Sequence, residues 1–213
     1  MPSFKAALAS CVFLSTQLVS CHCVFIAANG DAGGKGMALG VDPTTPRTCT
    51  SIDPCQRDTT VFSGRTIANM GIGQTSENGV NNVEKGTARI LKLTGGVLPL
   101  VTSGGYLSMV VHQINGDGAG PFGCEINADG AAKTWSKLQL TVNIPGENGV
   151  NSAALVQWPL KATIPKGQTC TGTAAGKKNI CLVRCHNPAP NGPFGGVMPV
   201  QLVAKAPAIK AAR

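Results

Sequence analysis

Five segments of this 213-residue chain alternate apolar and polar residues with the two-residue period of a β-strand. In residues 106–113, "YLSMVVHQ", Leu107, Met109 and Val111 point one way, while Tyr106, Ser108, Val110 and His112 point the other. Residues 137–144, "KLQLTVNI", set Leu138, Leu140, Val142 and Ile144 on an inward face. Residues 156–164, "VQWPLKATI", do so with Val156, Trp158, Leu160 and Ile164. Pro159 marks that segment as an edge strand, because proline has no N–H to give to a ladder. Residues 179–185 and 197–204 complete the set. Short alternating strands separated by turns predict an all-β chain with minor α content, built as an antiparallel β-sandwich with long glycine-rich loops.

One segment reads as a short helix. In residues 81–96, "NNVEKGTARILKLTGG", Asn81 or Asn82 caps the start and Glu84 suits the positive end of the helix dipole. Val83, Thr87, Ile90 and Leu91 share one face, and Gly95 supplies the stop. The 27 glycines and 14 prolines agree with a turn-rich chain. "GDAGGKGMALG" (30–40) reads as a loop; it lacks the closing Lys-Ser/Thr of a phosphate-binding loop, which argues against nucleotide binding.

The formal net charge is +8, but no run of five basic residues occurs and no aromatics interleave with them, so nucleic acid is not the expected partner. No GxSxG elbow is present, and the few acids are scattered, with Glu125 beside Asp117 or Asp129 having no spacing that recommends a glycosidase pair. Asn127-x-Asp129-Gly130 resembles only a fragment of a calcium loop.

Nine cysteines fit a secreted chain better than a cytosolic one. Residues 1–21 read as a signal peptide, with Lys5 ahead of a mild apolar stretch and "VSC" (19–21) as a cleavage site that makes His22 the first mature residue. A cut after Ala27 or Ala28 also fits, as does a retained segment. Residues 22–204 then form a single β-sandwich domain, and 205–213, "KAPAIKAAR", a flexible basic tail. No apolar run after the first segment is long enough to make a transmembrane segment. Cys23 abuts the new terminus and is expected to be unpaired. The other six cysteines allow fifteen pairings; chain proximity suggests Cys49–Cys55 and Cys170–Cys181, leaving Cys124–Cys185. Zinc is disfavoured because no CxxC pair occurs.

Three histidines are present, His22, His112 and His186. A chain starting at His22 offers its α-amine and its Nδ1 to one metal ion, and a second imidazole from His112 completes a three-nitrogen set suited to copper. His112 ends its strand on the outward set and is expected to face solvent. Gln113, Asn115 and Asp117 follow it as candidates to orient ligands, although Asn115 and Asp117 beside glycine are also ordinary turn residues. His186 follows Cys185 and reads as a loop histidine, and Phe194 could place an aromatic face beside a metal or a sugar.

Seven blocks of the chain carry a resemblance: "GDAGG" (30–34), "GVDPTTPR" (40–47), "NNVEKGT" (81–87), "HQINGDGAGPFGCEINADG" (112–130), "PLKATIPKGQTCTGT" (159–173), "NICLVRC" (179–185) and "GPFGG" (192–196). They resemble, in order, the Egh-type family of secreted fungal appressorium-associated virulence factors. The resemblance implies a secreted protein acting outside the cell or in the wall around host penetration. A mature start at histidine is in turn similar to the lytic polysaccharide monooxygenases, copper enzymes on immunoglobulin-like β-sandwiches that oxidise glycans. That similarity implies His22 and His112 as copper ligands and a polysaccharide or cell-wall surface as partner. The chain departs from that pattern in two ways. Cys23 places a thiol after the terminal histidine, and no tyrosine follows the axial position, for which Phe194 or Met198 stands in. The competing reading is a non-catalytic extracellular wall-binding or adhesion protein.

Overall fold

A computed structural model describes residues 22–204; the expected signal peptide (1–21) and basic tail (205–213) lie outside the described residues. In chain order, β1 (Cys23–Gly30) and β2 (Gly33–Gly36) precede three two-residue strands, β3 (Thr60–Val61), β4 (Gln74–Thr75) and β5 (Gly79–Val80). Helix α1 (Val83–Thr94) is followed by β6 (Leu100–Thr102), β7 (Tyr106–Gln113) and β8 (Gly123–Asn127). The remaining strands are β9 (Ser136–Val142), β10 (Val156–Thr163), β11 (Gly172–Ala174), β12 (Lys177–His186) and β13 (Phe194–Val203). The five alternating segments and the helix are all present, so the chain is mostly β with one α-helix.

The strands hydrogen-bond along one path, β2-β1-β7-β10-β9-β8-β12-β13-β3-β4-β5, with β11 beside β12 and β6 beside β13. Every ladder is antiparallel except that of β6 with β13. The path curls at β9, which pairs with β8 through Ser136, Lys137 and Leu138 and with β10 through Gln139, Leu140 and Val142. Residues 38 and 39 stitch the two halves together: Ala38 N–H donates to the Phe25 carbonyl at 3.1 Å and Leu39 N–H to the Val197 carbonyl at 2.8 Å. Between the halves lies the main core, with Phe25, Leu107, Met109, Val111, Leu160, Val183 and Met198 all buried. Each such side chain contributes roughly 1.5–3 kcal/mol through apolar burial.

Two details differ from the alternation pattern. Val142 is 39% exposed rather than inward, because the register between β9 and β10 shifts there. Segment 156–164 is an interior strand, not an edge. Pro159 is tolerated because pairing with β9 begins only at Lys161, leaving a local edge at the proline. Helix α1 is capped as its sequence requires. Asn82 Oδ1 accepts from Lys85 N–H at 2.9 Å, and Gly95 ends the helix in the left-handed conformation. Thr87 and Ile90 are buried, and Val83 and Leu91 pack on a second, smaller core.

Three disulfides join Cys49–Cys55, Cys124–Cys185 and Cys170–Cys181, the pairing that chain proximity suggests, and Cys23 is free. Cys124 and Cys185 face each other directly across β8 and β12. Among the described residues no helix is long and apolar enough to cross a membrane.

Candidate metal centre

His22 stands one residue ahead of β1, and the ladder between β1 and β7 continues through it. Val24 lies opposite His112, and the Ile114 N–H donates to the His22 carbonyl at 3.0 Å. Strand alternation therefore puts the His22 and His112 side chains on the same face, on diagonal positions of two adjacent strands. Such positions start about 7–8 Å apart, within reach of a common ion when each metal–nitrogen bond is about 2 Å. The β1–β7 ladder brings together two residues 90 positions apart.

His112 does not face solvent, which corrects the outward reading of its strand end. It is 2% exposed and feels the charges of Arg47 and Asp58, which belong to the turn-rich segment that also carries Gln56. Asp58 is itself buried. Its carboxylate accepts from the Arg47 guanidinium through both oxygens and from Asp42 N–H at 2.9 Å. Burial pushes the His112 imidazole below its ordinary pKa; the charge on Arg47 adds to this and Asp58 partly opposes it. Neither Nδ1 nor Nε2 of His112 has a hydrogen-bond partner. A buried polar atom left unpaired costs about 1–3 kcal/mol, so this ring is retained at a price in stability.

His22 is 7% exposed, and burial likewise lowers its pKa, opposed by its hydrogen bond to Gln56 and by the charge on Asp117. Its Nδ1 meets Gln56 Oε1, and its backbone N–H donates to Asn115 Oδ1 at 3.1 Å. The Phe194 ring stands edge-on to the imidazole at 4.9 Å between centroids. Of Phe194 and Met198, Phe194 is therefore the one beside His22. Met198 lies four residues further along β13, roughly 13 Å at the rise of a strand, and is buried in the main core.

The other expected orienting residues divide. Asn115 holds the His22 nitrogen, as just described. Asp117 accepts from Asn191 Nδ2 at 2.8 Å and contributes charge toward His22. Gln113 is buried on the opposite face and acts as a scaffold. Its Nε2 donates to Asn151 Oδ1 at 2.6 Å and the Ala153 carbonyl at 2.8 Å, and its Oε1 accepts from Trp158 Nε1 at 2.8 Å. Cys23 is fully buried on the core side of β1, and burial pushes its thiol well above the ordinary range. The alternation that pairs the two imidazoles sends this thiol away from them, so it is no competitor for a metal.

The glycines after His112 have a steric reason. A Cβ on Gly118 would lie 2.4 Å from the His22 carbonyl oxygen and 3.2 Å from Cys23 Cβ. Only glycine lets the Gly116–Gly118 turn pass this close to the start of β1. Gly118→Ala is expected to lower stability by about 1–3 kcal/mol; a thermal melt indistinguishable from the parent would show that the turn has slack.

His186 belongs to a different cluster. It ends β12 and bonds through Nε2 to Glu125 Oε1 at 3.0 Å, while Glu125 Oε2 pairs with Arg184 Nε at 3.3 Å. Glu125 is thus bonded to two basic side chains and is not half of a carboxylate pair. The Asn127–Asp129 turn is likewise closed on itself, Asp129 Oδ1 accepting from Asn127 Nδ2 at 2.8 Å and Ala131 N–H at 2.9 Å. Among the described residues, no group of three or more His, Cys, Asp or Glu could hold a metal ion. A set of two imidazoles and a terminal amine is outside that definition, and the unpartnered nitrogens of His112 beside His22 fit it. Gln56, Asp58 and Arg47 were not foreseen from the sequence; the sole local signal was the short Cys49–Cys55 ring that fixes Gln56 next to it.

A disulfide-stapled, mostly β chain with one histidine just ahead of its first strand and a second on the same face of β7 defines the class. The family model described as Egh16-like virulence factor matches residues 20–195, a span that holds both histidines and all three bridges, and the chain belongs to this family. It is 47% identical over 201 residues to the appressoria-specific virulence factor GAS1 of Pyricularia oryzae, covering 94% of this chain and 79% of that protein. It is 33% identical over 131 residues to the appressoria-specific virulence factor GAS2 of the same fungus, covering 59% of this chain and 45% of that protein.

Proposed function

We propose that this chain is a secreted virulence protein of the fungal infection structure that carries a copper ion and acts oxidatively on a polysaccharide of the fungal wall or host surface. Once the chain is cut ahead of His22, the α-amine and Nδ1 of His22 and the imidazole of His112 hold the ion. The family relationship and the likeness to appressoria-specific proteins support the virulence role. Three disulfides support an oxidising destination. The observation that carries the metal reading is His112, buried with both ring nitrogens unpartnered on the same strand face as His22.

Copper supplies one-electron redox chemistry, which oxidation of an unactivated C–H bond requires. The protein's part is to hold and screen. The β1–β7 ladder fixes both imidazole bases, Asn115 orients the His22 nitrogen, and the Phe194 edge keeps water from one side of the ring.

Intact-mass analysis of the secreted protein, followed by calorimetric copper titration, tests the reading. A start at His22, three bridges and one copper per chain are expected. A start at any other residue, or no copper uptake, leaves a non-catalytic wall-binding protein instead.

A further inference from the structure

The outward face of β8, β9 and β12 carries a charged cleft that the histidine pair does not use. Register places its residues. Glu125 lies opposite Arg184 on β12 and opposite Lys137 on β9, and Gly123 lies opposite His186. The alternate position is the disulfide-linked Cys124 and Cys185, buried in the main core, so these residues share the face turned away from it. Arg65 and Ile67, from the loop of residues 62–73, join Gly123, Glu125, Lys137 and His186 in lining a cleft of about 310 Å³. That is room for about one sugar ring, at the small end of ligand sites.

Charge in the cleft is one-sided. Glu125, the one acid among the described residues of the lining, is already paired with Arg184. Among the described residues, neither Arg65 nor Lys137 pairs with a carboxylate. Arg65 is held in place, its terminal nitrogens donating to the Ala189 carbonyl at 3.5 Å and to the Pro190 carbonyl. These bonds use one N–H on each nitrogen, and the remaining N–H groups stay available to an anion. His186 is fixed by Glu125 and stands edge-on to Phe62 at 6.4 Å between centroids. Gly123 leaves that imidazole open on one edge. A Cβ there would lie 3.7 Å from His186 Nε2 and 3.8 Å from Cε1, an ordinary contact, and Gly123 has no positive φ. Neither sterics nor backbone conformation demands glycine at this point; what its missing side chain provides is space.

We infer that this cleft binds a carboxylate-bearing ligand the size of a single sugar acid, the carboxylate held by Arg65 and Lys137 and the ring lying over Gly123 and Ile67. The apolar Ile67 and the bare glycine suit the C–H face of a ring, while the unpaired basic side chains select the acid over its neutral counterpart. A free sugar acid and an acidic unit within a polysaccharide offer the same chemistry. The assignment uses neither His22 nor His112 and stands whether or not the protein carries copper.

Titration of the secreted protein with sodium glucuronate and with glucose, followed in 15N–1H NMR spectra, tests it. Glucuronate is expected to shift the amides of Gly123, Glu125, Lys137 and His186, and glucose, which lacks the carboxyl, to leave them in place. Equal shifts with both sugars, or none with glucuronate, overturn the assignment. Lys137→Gln is expected to weaken glucuronate binding about tenfold, the loss of one charge-assisted hydrogen bond. Lys92→Gln makes the same charge change on α1 and is expected to leave the affinity as it was. Equal weakening by the two variants reduces the effect to net charge and sinks the site. Gly123→Val fills the cleft without altering charge. It is expected to abolish binding while melting no lower than the parent, since valine suits a strand; binding at the parent's affinity counts against the cleft. If Gly123→Val does not fold, the two lysine variants carry the test. A trimer of galacturonate, against the monomer, separates the two sources. Tighter binding of the trimer assigns the cleft to a polysaccharide, and weaker binding assigns it to a free acid.

Discussion

His112→Leu is expected to do two opposite things: to make the metal-free protein more stable and to lower its copper affinity at least about a hundredfold. The stability gain follows from the two unpartnered, buried ring nitrogens. Leucine has a similar volume and no polar atoms, so it removes a penalty of about 1–2 kcal/mol in total without opening a cavity. For a domain of this size each kcal/mol moves the melting temperature by about 2–4 °C, and a rise of roughly 2–8 °C is expected. The affinity loss follows from deleting one of three nitrogen donors. With copper present at a hundred times its dissociation constant, the parent gains about 2.7 kcal/mol from mass action, so the order of the two melting temperatures reverses. Calorimetric melts with and without copper measure both halves. If His112→Leu melts lower than the parent in both conditions, the histidine is an ordinary packing residue and the site loses its main support.

How much of this was legible in sequence differs from one element to the next. The alternation in 106–113 gave β7 to the residue, and the Asn82 cap and Gly95 stop bounded α1 to within a residue or two. Those signals are local, carried by side chains that sit next to one another on the element they describe. Residues 30–36 read as loop because glycine hides alternation, yet they end β1 and form β2. A Cβ on Gly30 would lie 1.9 Å from the Leu100 carbonyl oxygen, so glycine there is a requirement of strand packing. The burial of His112 was illegible for a different reason. Periodicity tells which face of β7 the ring is on, but the charges that act on it come from Arg47 and Asp58, more than fifty positions earlier and without a repeating pattern. Gln56 was missed on the same ground. Nothing in "SIDPCQRDTT" marks a buried amide until the disulfide has folded the turn back onto β1. Pairing of His22 with His112 was read from chemistry alone, and the ladder that puts them on one face was invisible because β1 begins at the expected cleavage site.

The other large effect is expected at the cluster of Arg184, Glu125 and His186 near the C-terminal end of β12. Arg184 is fully buried. Its Nε pairs with Glu125, its two terminal nitrogens donate to the Ile67 and Gly71 carbonyls at 2.8 Å each, and its guanidinium stacks on Trp135 at 4.1 Å. One side chain thereby ties β12 to β8 and to the loop of residues 62–73. Burial alone would raise the Glu125 pKa, but the hydrogen bond and charge of His186, together with Arg184, outweigh it and hold the carboxyl below its ordinary value. Arg184→Met keeps the apolar stem and removes the charge, leaving Glu125 ionised, buried and served by His186 only. Breaking a buried pair from one side costs about 3–5 kcal/mol, so the melting temperature should fall by roughly 10 °C at neutral pH. The pH dependence gives the claim its sign. A carboxyl whose folded pKa lies below its unfolded value contributes stability that is fully present above the unfolded pKa, about 4.3 for Glu, and is lost as pH falls through the folded value. In the variant that contribution is already reduced, so the gap between parent and variant should narrow in melts taken from pH 7 down to pH 3. A gap that stays constant over that range would mean that the loss comes from the two carbonyls and the Trp135 face, with Glu125 indifferent to its partner.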